Sequence, residues 1–167
     1  GPGQDVNNFV GHGMFDPSFR WDDLKRFRDL WPRKLILKGL LRADDAERAV
    51  AAGMDGLVLS NHGGRQLDSA ISGIEALPEV ARAVGGRVSI LIDGGVRRGS
   101  DIAKAIALGA EGVLLGRAPV YGLAAGGAMG VTRAIEILAD EFDRTLALNG
   151  CRNVAELTAD LIATRGA

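Results

Sequence analysis

Asp45-Ala-Glu-Arg-Ala-Val-Ala-Ala-Gly-Met-Asp-Gly-Leu-Val-Leu-Ser60 aligns without a gap on Asp101-Ile-Ala-Lys-Ala-Ile-Ala-Leu-Gly-Ala-Glu-Gly-Val-Leu-Leu-Gly116. In each copy a helical stretch ends on a glycine, Gly53 or Gly109. An acidic residue follows two positions later (Asp55, Glu111), and a further glycine opens a short apolar run. The offset from Asp45 to Asp101 is 56 residues, the length of two βα units.

The pattern extends in both directions. Apolar runs at Leu35–Leu37, Gly56–Leu59, Val88–Ile92 and Gly112–Leu115 each predict a strand. Each run is apolar throughout rather than alternating, as expected for strands covered on both faces of a parallel sheet. Between them lie helical stretches at Asp44–Ala52, Ile74–Val84 and Ser100–Leu108. The order β-α-β-α-β-α-β predicts a parallel α/β fold. A helix over Asp22–Trp31, with Leu24, Phe27, Leu30 and Trp31 on one face, precedes the first strand and is closed by Pro32. A longer helical region, Val131–Leu148, follows the last strand. A terminal helix is predicted at Val154–Ala163, capped by Asn153 with Glu156 three residues on. Residues 1–17, rich in Gly, Asn, Asp and Pro, have no period and read as a mobile loop.

An open dinucleotide-binding sheet would carry GxGxxG after its first strand, and none occurs; internal symmetry suits a closed (β/α)₈ barrel. A complete barrel needs about 250 residues, and this chain has 167. Four βα units make half of one, and a half barrel standing alone exposes strand edges and apolar surface. The expectation is therefore the C-terminal half, strands five to eight, of a barrel in a larger protein, with residues 18–167 forming a single incomplete domain.

Composition narrows the function. A net charge of −1 gives no reason to expect nucleic acid as a partner. The lone Cys151 forms no internal disulfide, fits a reducing compartment and reads as a small core residue. His12 and His62 are far apart and there is no CxxC, so no metal site is expected. No run of 18 apolar residues exists to span a membrane.

In (β/α)₈ barrels function gathers at the C-terminal strand ends. Here those ends carry Lys38, then Ser60-Asn-His-Gly-Gly-Arg65, then Asp93-Gly-Gly-Val-Arg-Arg98, then Gly116-Arg117. His62 can accept a proton near neutral pH, and Arg65 can grip a carboxylate with two hydrogen bonds. Together they point to a small organic acid. The glycine-arginine loops on the last two strands, with Arg97 and Arg117, form the usual phosphate-binding place of the fold and predict a phosphorylated cofactor. Lys38 could stabilise negative charge developing on that cofactor. Each residue also has a plainer reading. Lys38 could extend to solvent, His62 could be a hydrogen-bonded structural histidine, and Arg117 could pair with a nearby acid. Asp93 could only cap its loop, Gly94 and Gly95 could serve turn geometry, and Arg98 reads as a solvated charge. The convergence of four polar strand ends favours a site.

Ser60-Asn-His-Gly-Gly-Arg-Gln-Leu-Asp68 resembles the active-site signature of the FMN-dependent 2-hydroxy acid dehydrogenases and oxidases. That family includes glycolate oxidase, lactate oxidase, flavocytochrome b2 and mandelate dehydrogenase. Leu37-Lys-Gly39, Asp93-Gly-Gly-Val-Arg-Arg-Gly99 and Leu115-Gly-Arg-Ala118 also resemble family motifs, in order. The resemblance implies oxidation of an (S)-2-hydroxy acid to the 2-keto acid, with FMN as cofactor. It implies His62 as the base and Arg65 as the carboxylate-binding residue, with His62 also touching substrate and flavin. It implies that Lys38, Ser60 and Gly63 contact the flavin, and that Asp93, Gly94, Gly95, Arg97, Gly116 and Arg117 hold the ribityl-phosphate. It further implies an N-terminal half of the same barrel as partner, a quinone, cytochrome or O2 as electron acceptor, and a homotetramer. The location it implies is cytoplasmic, or at the inner face of the membrane through a loop outside this chain. Tyr121-Gly-Leu-Ala-Ala125, Asp143-Arg-Thr-Leu-Ala147 and Gly150-Cys151 resemble the mandelate dehydrogenase branch, which makes mandelate the expected substrate and lactate or glycolate the alternatives. Competing expectations are another FMN barrel, such as an isomerase, and a non-catalytic half barrel that binds phosphate or a partner chain.

Overall fold

Residues 16–163 are described by the computed structural model, and they fall into two units divided between Arg33 and Lys34. The expectations for His12 and for most of the N-terminal loop concern residues 1–15, outside the described residues. In the first unit, α1 spans Trp21–Leu30, one residue earlier than its periodicity predicts. Its N-terminus is closed by Asp23, whose carboxylate accepts from Arg20 N at 2.7 Å. At its other end the Arg28 guanidinium donates to the carbonyls of Trp31 and Arg33.

The second unit is a four-stranded parallel sheet in the order β1-β2-β3-β4. The strands are β1 (Ile36–Leu40), β2 (Gly56–Leu59), β3 (Ser89–Asp93) and β4 (Gly112–Leu114). They alternate with α2 (Ala43–Ala51), α3 (Gly73–Val84) and α4 (Gly99–Ala107). Each strand neighbours its successor, so the order never reverses and there is no switch point of the doubly wound kind. That is the connectivity of a barrel segment.

The helices form for legible reasons. In α3, Ser72 and Glu75 make a reciprocal capping box, with Ser72 N donating to Glu75 Oε2 at 2.8 Å. Ala76, Leu77, Val80 and Val84 then recur on one buried face, and Gly85 ends the helix in a left-handed conformation. Gly73 brings the start of α3 onto the strand ends; a Cβ there would lie 2.7 Å from Leu59 O.

Only β2 is buried along its whole length. The expectation that all four apolar runs are covered on both faces is corrected here. β1 and β4 are edge strands with one neighbour each, and Ile36 and Leu114 are exposed. In β3 buried and half-buried residues alternate.

Two further corrections lie after β4. First, α5 begins at Arg117 rather than Val131 and runs to Leu148, broken at Gly126 and Gly127 (φ 57°, ψ −142°). The chain turns back there, and a Cβ on either Gly122 or Gly130 would overlap the other's carbonyl. Four glycines in nine residues, Gly122 to Gly130, hide a helical reading because each lowers intrinsic propensity by about 1 kcal/mol. Close backbone packing favours the same glycines. Second, the terminal helix is replaced by two single 3₁₀ turns, Val154–Glu156 and Ala159–Leu161. Asn153 does cap Ala155 N, at 3.0 Å. Glu156, however, is drawn back onto Arg152, accepting from its backbone N at 2.9 Å and its Nε at 3.0 Å. Leu157 is then extended and buried with Ala103, Ala107 and Cys151. Tertiary burial of one leucine outweighs the helical period around it. Cys151 is the core residue its sequence context predicts.

Candidate functional site

β1, β2 and β3 deliver Lys38, Ser60 and Asp93 to one place. Lys38 remains exposed, but its Nζ is engaged: it donates to Ser60 Oγ at 3.0 Å and pairs with Asp93 Oδ2 at 2.7 Å. A bulge between Lys38 and Leu40, at Gly39 (φ 108°), interrupts the β1–β2 register beside it. Ser60 is the one buried polar residue among the described residues, and its Oγ also accepts from His62 N at 3.0 Å. Asp93 does more than cap its loop. Burial works against its charge, but the Lys38 ammonium, the Ser60 hydroxyl and the nearby His62 outweigh that and hold its carboxyl below the ordinary value. Its second oxygen, Oδ1, is buried without a hydrogen-bond partner among the described residues.

After Ser60 the chain enters a short 3₁₀ turn, His62–Gly64, in a left-handed conformation. His62 has φ 56°, Gly63 φ 70° and Gly64 φ 72°. A non-glycine residue held there by a functional loop is a recognised place for stored strain. The His62 ring lies over Gly39, where a Cβ would sit 3.1 Å from its Cε1. Arg65 folds back on the same loop, its Nε donating to His62 O at 3.0 Å. That leaves the two terminal amino groups of its guanidinium as a fork. His62, Gly63 and Arg65 are all exposed.

The third and fourth strand ends are more open. Gly94 and Gly95 both have positive φ (85° and 75°), and a Cβ on Gly95 or Gly116 would meet nothing within 4 Å. Asp101 Oδ2 accepts from Arg97 N and Arg98 N, each at 3.0 Å, which fixes this loop at the start of α4. Arg98 is not simply solvated, since it lies 3.8 Å from Glu141 on α5. Arg97 and Arg117 are exposed, and no ion pair among the described residues engages either. No hydrogen bond among them joins these arginines to the Lys38 cluster either.

Three contributors carry no role in the sequence reading. Asn61 accepts from Gly63 N and Gly64 N. Gly39 leaves room for the His62 ring. Glu141 caps α4 by accepting from Gly99 N at 2.9 Å, from 42 residues away. Asn61 had a signal, an Asn immediately before a histidine and two glycines, where its side chain can close a turn. Glu141 had none, because the contact is tertiary.

The cluster can hold a ligand that brings a hydrogen-bond donor to Asp93 Oδ1 and negative charge to Lys38. The left-handed glycines after β3 and the exposed Arg97 and Arg117 suit an anion. No helix among the described residues is long and apolar enough to cross a membrane.

Known proteins resemble this chain in sequence and fold. The sequence profile of a family described as FMN-dependent dehydrogenase matches residues 3–164. The chain is 55% identical over 153 residues to an (S)-mandelate dehydrogenase of Pseudomonas putida, covering 92% of this chain and 38% of that protein. It is 47% identical over 167 residues to an L-lactate dehydrogenase of Caulobacter vibrioides, covering 99% of this chain and 44% of that one. It superposes on the crystal structure of the monotopic membrane protein (S)-mandelate dehydrogenase with a TM-score of 0.89 and 50% identity, over 96% of this chain and 43% of that one. The chain thus spans less than half the length of the relatives it matches. Its four strands are the C-terminal half, strands five to eight, of a (β/α)₈ barrel.

Proposed function

The chain belongs to the FMN-dependent dehydrogenase family, and from that premise we propose that it supplies the catalytic half of a barrel oxidising an (S)-2-hydroxy acid to the 2-keto acid. The observation that carries the proposal is the Lys38–Ser60–Asp93 cluster beside a strained His62. Its residues fit FMN. The unpartnered Asp93 Oδ1 could accept a hydroxyl of the cofactor, and Lys38, with Ser60 and Gly63, would supply positive charge and polar contacts to its ring system. Gly94, Gly95 and Gly116 admit the phosphate to the backbone, with Arg97 and Arg117 balancing its charge. When bound, FMN supplies the two-electron acceptor.

The chain's own residues do the rest. Arg65 orients the substrate carboxylate with the fork that its Nε bond to His62 O leaves available. His62 would take the proton of the 2-hydroxyl group while the Cα–H bond breaks, its hydrogen and both bonding electrons leaving Cα for the bound two-electron acceptor, so that the C–O bond becomes a carbonyl. A positioned base of this kind contributes roughly 10²–10⁴-fold. Lys38 would stabilise negative charge on the cofactor, and its bond to Asp93 fixes the ammonium in place.

Mandelate is the proposed substrate, supported by the 55% identity to a mandelate dehydrogenase; the 47% identity to a lactate dehydrogenase supports lactate as the second reading. The partner is the N-terminal half of the barrel, supported by the exposed Ile36 and Leu114 on the two edge strands. A quinone, a cytochrome or O2 reoxidises the flavin, in a homotetramer. The resemblance to a monotopic membrane protein supports a place in the cytoplasm or at the membrane's inner face.

The test is anaerobic mixing of the complete barrel with (S)-mandelate and, separately, (S)-lactate. Bleaching of the visible flavin band is expected, faster with mandelate. Bound flavin that neither acid bleaches would sink the proposal. Admitting air then separates an oxidase, which recolours at once, from a dehydrogenase. His62→Ala should keep FMN and lose roughly 10²–10⁴-fold in reduction rate.

A further inference from the structure

We infer that Asn61 is a positioning residue for this reaction: its side chain pins the left-handed turn that aims the His62 imidazole and roots Arg65. The inference rests on the functional reading above. Asn61 Oδ1 accepts from Gly63 N at 3.0 Å and from Gly64 N at 3.2 Å. The Asn61 carbonyl accepts from Gly64 N as well, at 3.0 Å. Beneath these bonds the backbone passes through three successive positive φ values, 56°, 70° and 72° at residues 62–64. Gly63 and Gly64 enter that region freely, whereas an L side chain there costs about 1–2 kcal/mol. His62 is therefore in a conformation it leaves unless the turn is fastened from both sides. Ser60 Oγ fastens His62 N at 3.0 Å, and Asn61 Oδ1 fastens the two residues that follow.

Release of the Asn61 bonds lets φ of His62 relax to negative values, which swings its Cα–Cβ bond. The ring now occupies the place over Gly39 that a Cβ there would contest at 3.1 Å, and the swing carries it off that place. The same relaxation turns the His62 carbonyl, to which Arg65 Nε donates at 3.0 Å. One amide side chain thus governs both the proton acceptor and the carboxylate clamp. In this scheme it touches neither substrate nor flavin. Asn61 makes no hydrogen bond to Lys38, Asp93, Arg97 or Arg117, although it holds Gly63 N and lies near Gly94, so its loss should slow reduction far more than it weakens FMN binding.

The experiment compares Asn61→Ala, Asn61→Asp and His62→Ala in the complete barrel, by FMN titration and anaerobic stopped-flow reduction. Asn61→Ala is expected to bind FMN within about threefold of native, while the limiting reduction rate falls about 10²-fold, the cost of a misplacement near 1 Å. Substrate Kd should rise about tenfold in the same variant, since Arg65 moves too. Asn61→Asp keeps the acceptor oxygen and should recover the rate to within about tenfold of native. Asn61→Ala at the native rate would overturn the inference, as would Asn61→Asp no faster than Asn61→Ala. Loss of FMN by both Asn61 variants would also overturn it, because the side chain would then be holding the fold rather than the geometry. His62→Ala at the native rate would overturn the functional reading instead.

Discussion

At the end of α2, Met54 N donates to Ala49 O at 3.1 Å and Gly53 N to Val50 O at 3.0 Å; at the end of α4, Ala110 N donates to Ala105 O and Gly109 N to Ile106 O, both at 3.0 Å. The match continues into the sheet, where Asp55 N reaches Leu35 O and Glu111 N reaches Ile90 O, each at 2.8 Å. The internal repeat is thus a repeat of hydrogen bonds, imposed by a glycine two residues before an acidic one. The two copies diverge at their ends. At the start, Arg42 makes a bidentate pair with its own Asp44, at 2.9 and 2.7 Å, whereas Arg98 faces Glu141 on α5. Ala43 opens α2, while Gly99 opens α4. At the finish, Ser60 leads into the histidine turn, whereas Gly116 leads straight into α5. The shared middle is scaffold, and the ends decide what each copy does.

Making the second copy resemble the first at its start gives the largest expected effect on stability. A Cβ on Gly99 would overlap the backbone of Glu141 and Phe142. Neither helix backbone can yield locally, so Gly99→Ala should cost about 3 kcal/mol or more, read as a lower urea midpoint. Ala43→Gly, the reverse exchange, should cost under about 1 kcal/mol. Equal losses would mean that the α4–α5 contact is not what sets this position.

Making the first copy resemble the second at its finish comes next. Ser60→Gly removes the oxygen that accepts from Lys38 Nζ and His62 N. Leaving those donors short in a buried place should cost about 2 kcal/mol. Flavin reduction should slow as well, because the first anchor of the His62 turn is gone. A variant as stable as native would show that water replaces the hydroxyl without loss.

The middles should behave more nearly alike. Gly53→Ala, at φ 80°, should cost about 1 kcal/mol for its left-handed backbone. Gly109→Ala adds a contact, since its Cβ would lie 2.9 Å from Ala81 Cβ, and should cost about 2 kcal/mol. Thermal midpoints measured side by side would rank them, and the reverse order would break the assignment of Ala81 as the difference.

These contrasts also mark how far the sequence could be read. The repeat, the strand order and the cluster of strand-end residues follow from local patterns: a glycine after an apolar helix face, and an apolar run between breakers. The start of α5 and the fate of Leu157 do not, because packing decides both. Gly122 against Gly130 and Leu157 against Cys151 are contacts between positions whose proximity no local period encodes. Within the candidate site the charged residues were visible and their tie was not. Lys38 could as well have reached solvent until Ser60 and Asp93 were seen to share it. Asn61 and Gly39 act on His62 through backbone conformation, which residue type alone only hints at.

A comparably small effect is expected at the strand ends that precede the two copies, Lys38 on β1 and Asp93 on β3. Their pairing makes the comparison asymmetric, because one end carries the cation and the other the anion. The Asp93 carboxyl is held below its ordinary value of 3.8, with burial opposed and outweighed by Lys38, Ser60 and His62. A carboxylate depressed in the folded state contributes stability above its unfolded value and loses that contribution as pH falls through the folded one. Asp93→Asn should therefore be less stable than native by about 1 kcal/mol at neutral pH, as expected for a partly exposed pair. The gap should close as pH falls below about 4, where the native carboxyl takes up a proton and comes to resemble the amide. Urea midpoints of both proteins across that range read the gap directly. A gap that stayed constant down to acid pH would mean that Asp93 acts by shape rather than by charge, and that the Lys38 pair contributes nothing to folding. A gap that widened on adding FMN would mark Oδ1 as an acceptor the cofactor uses, and a gap left unchanged would mean that the cofactor does not need it.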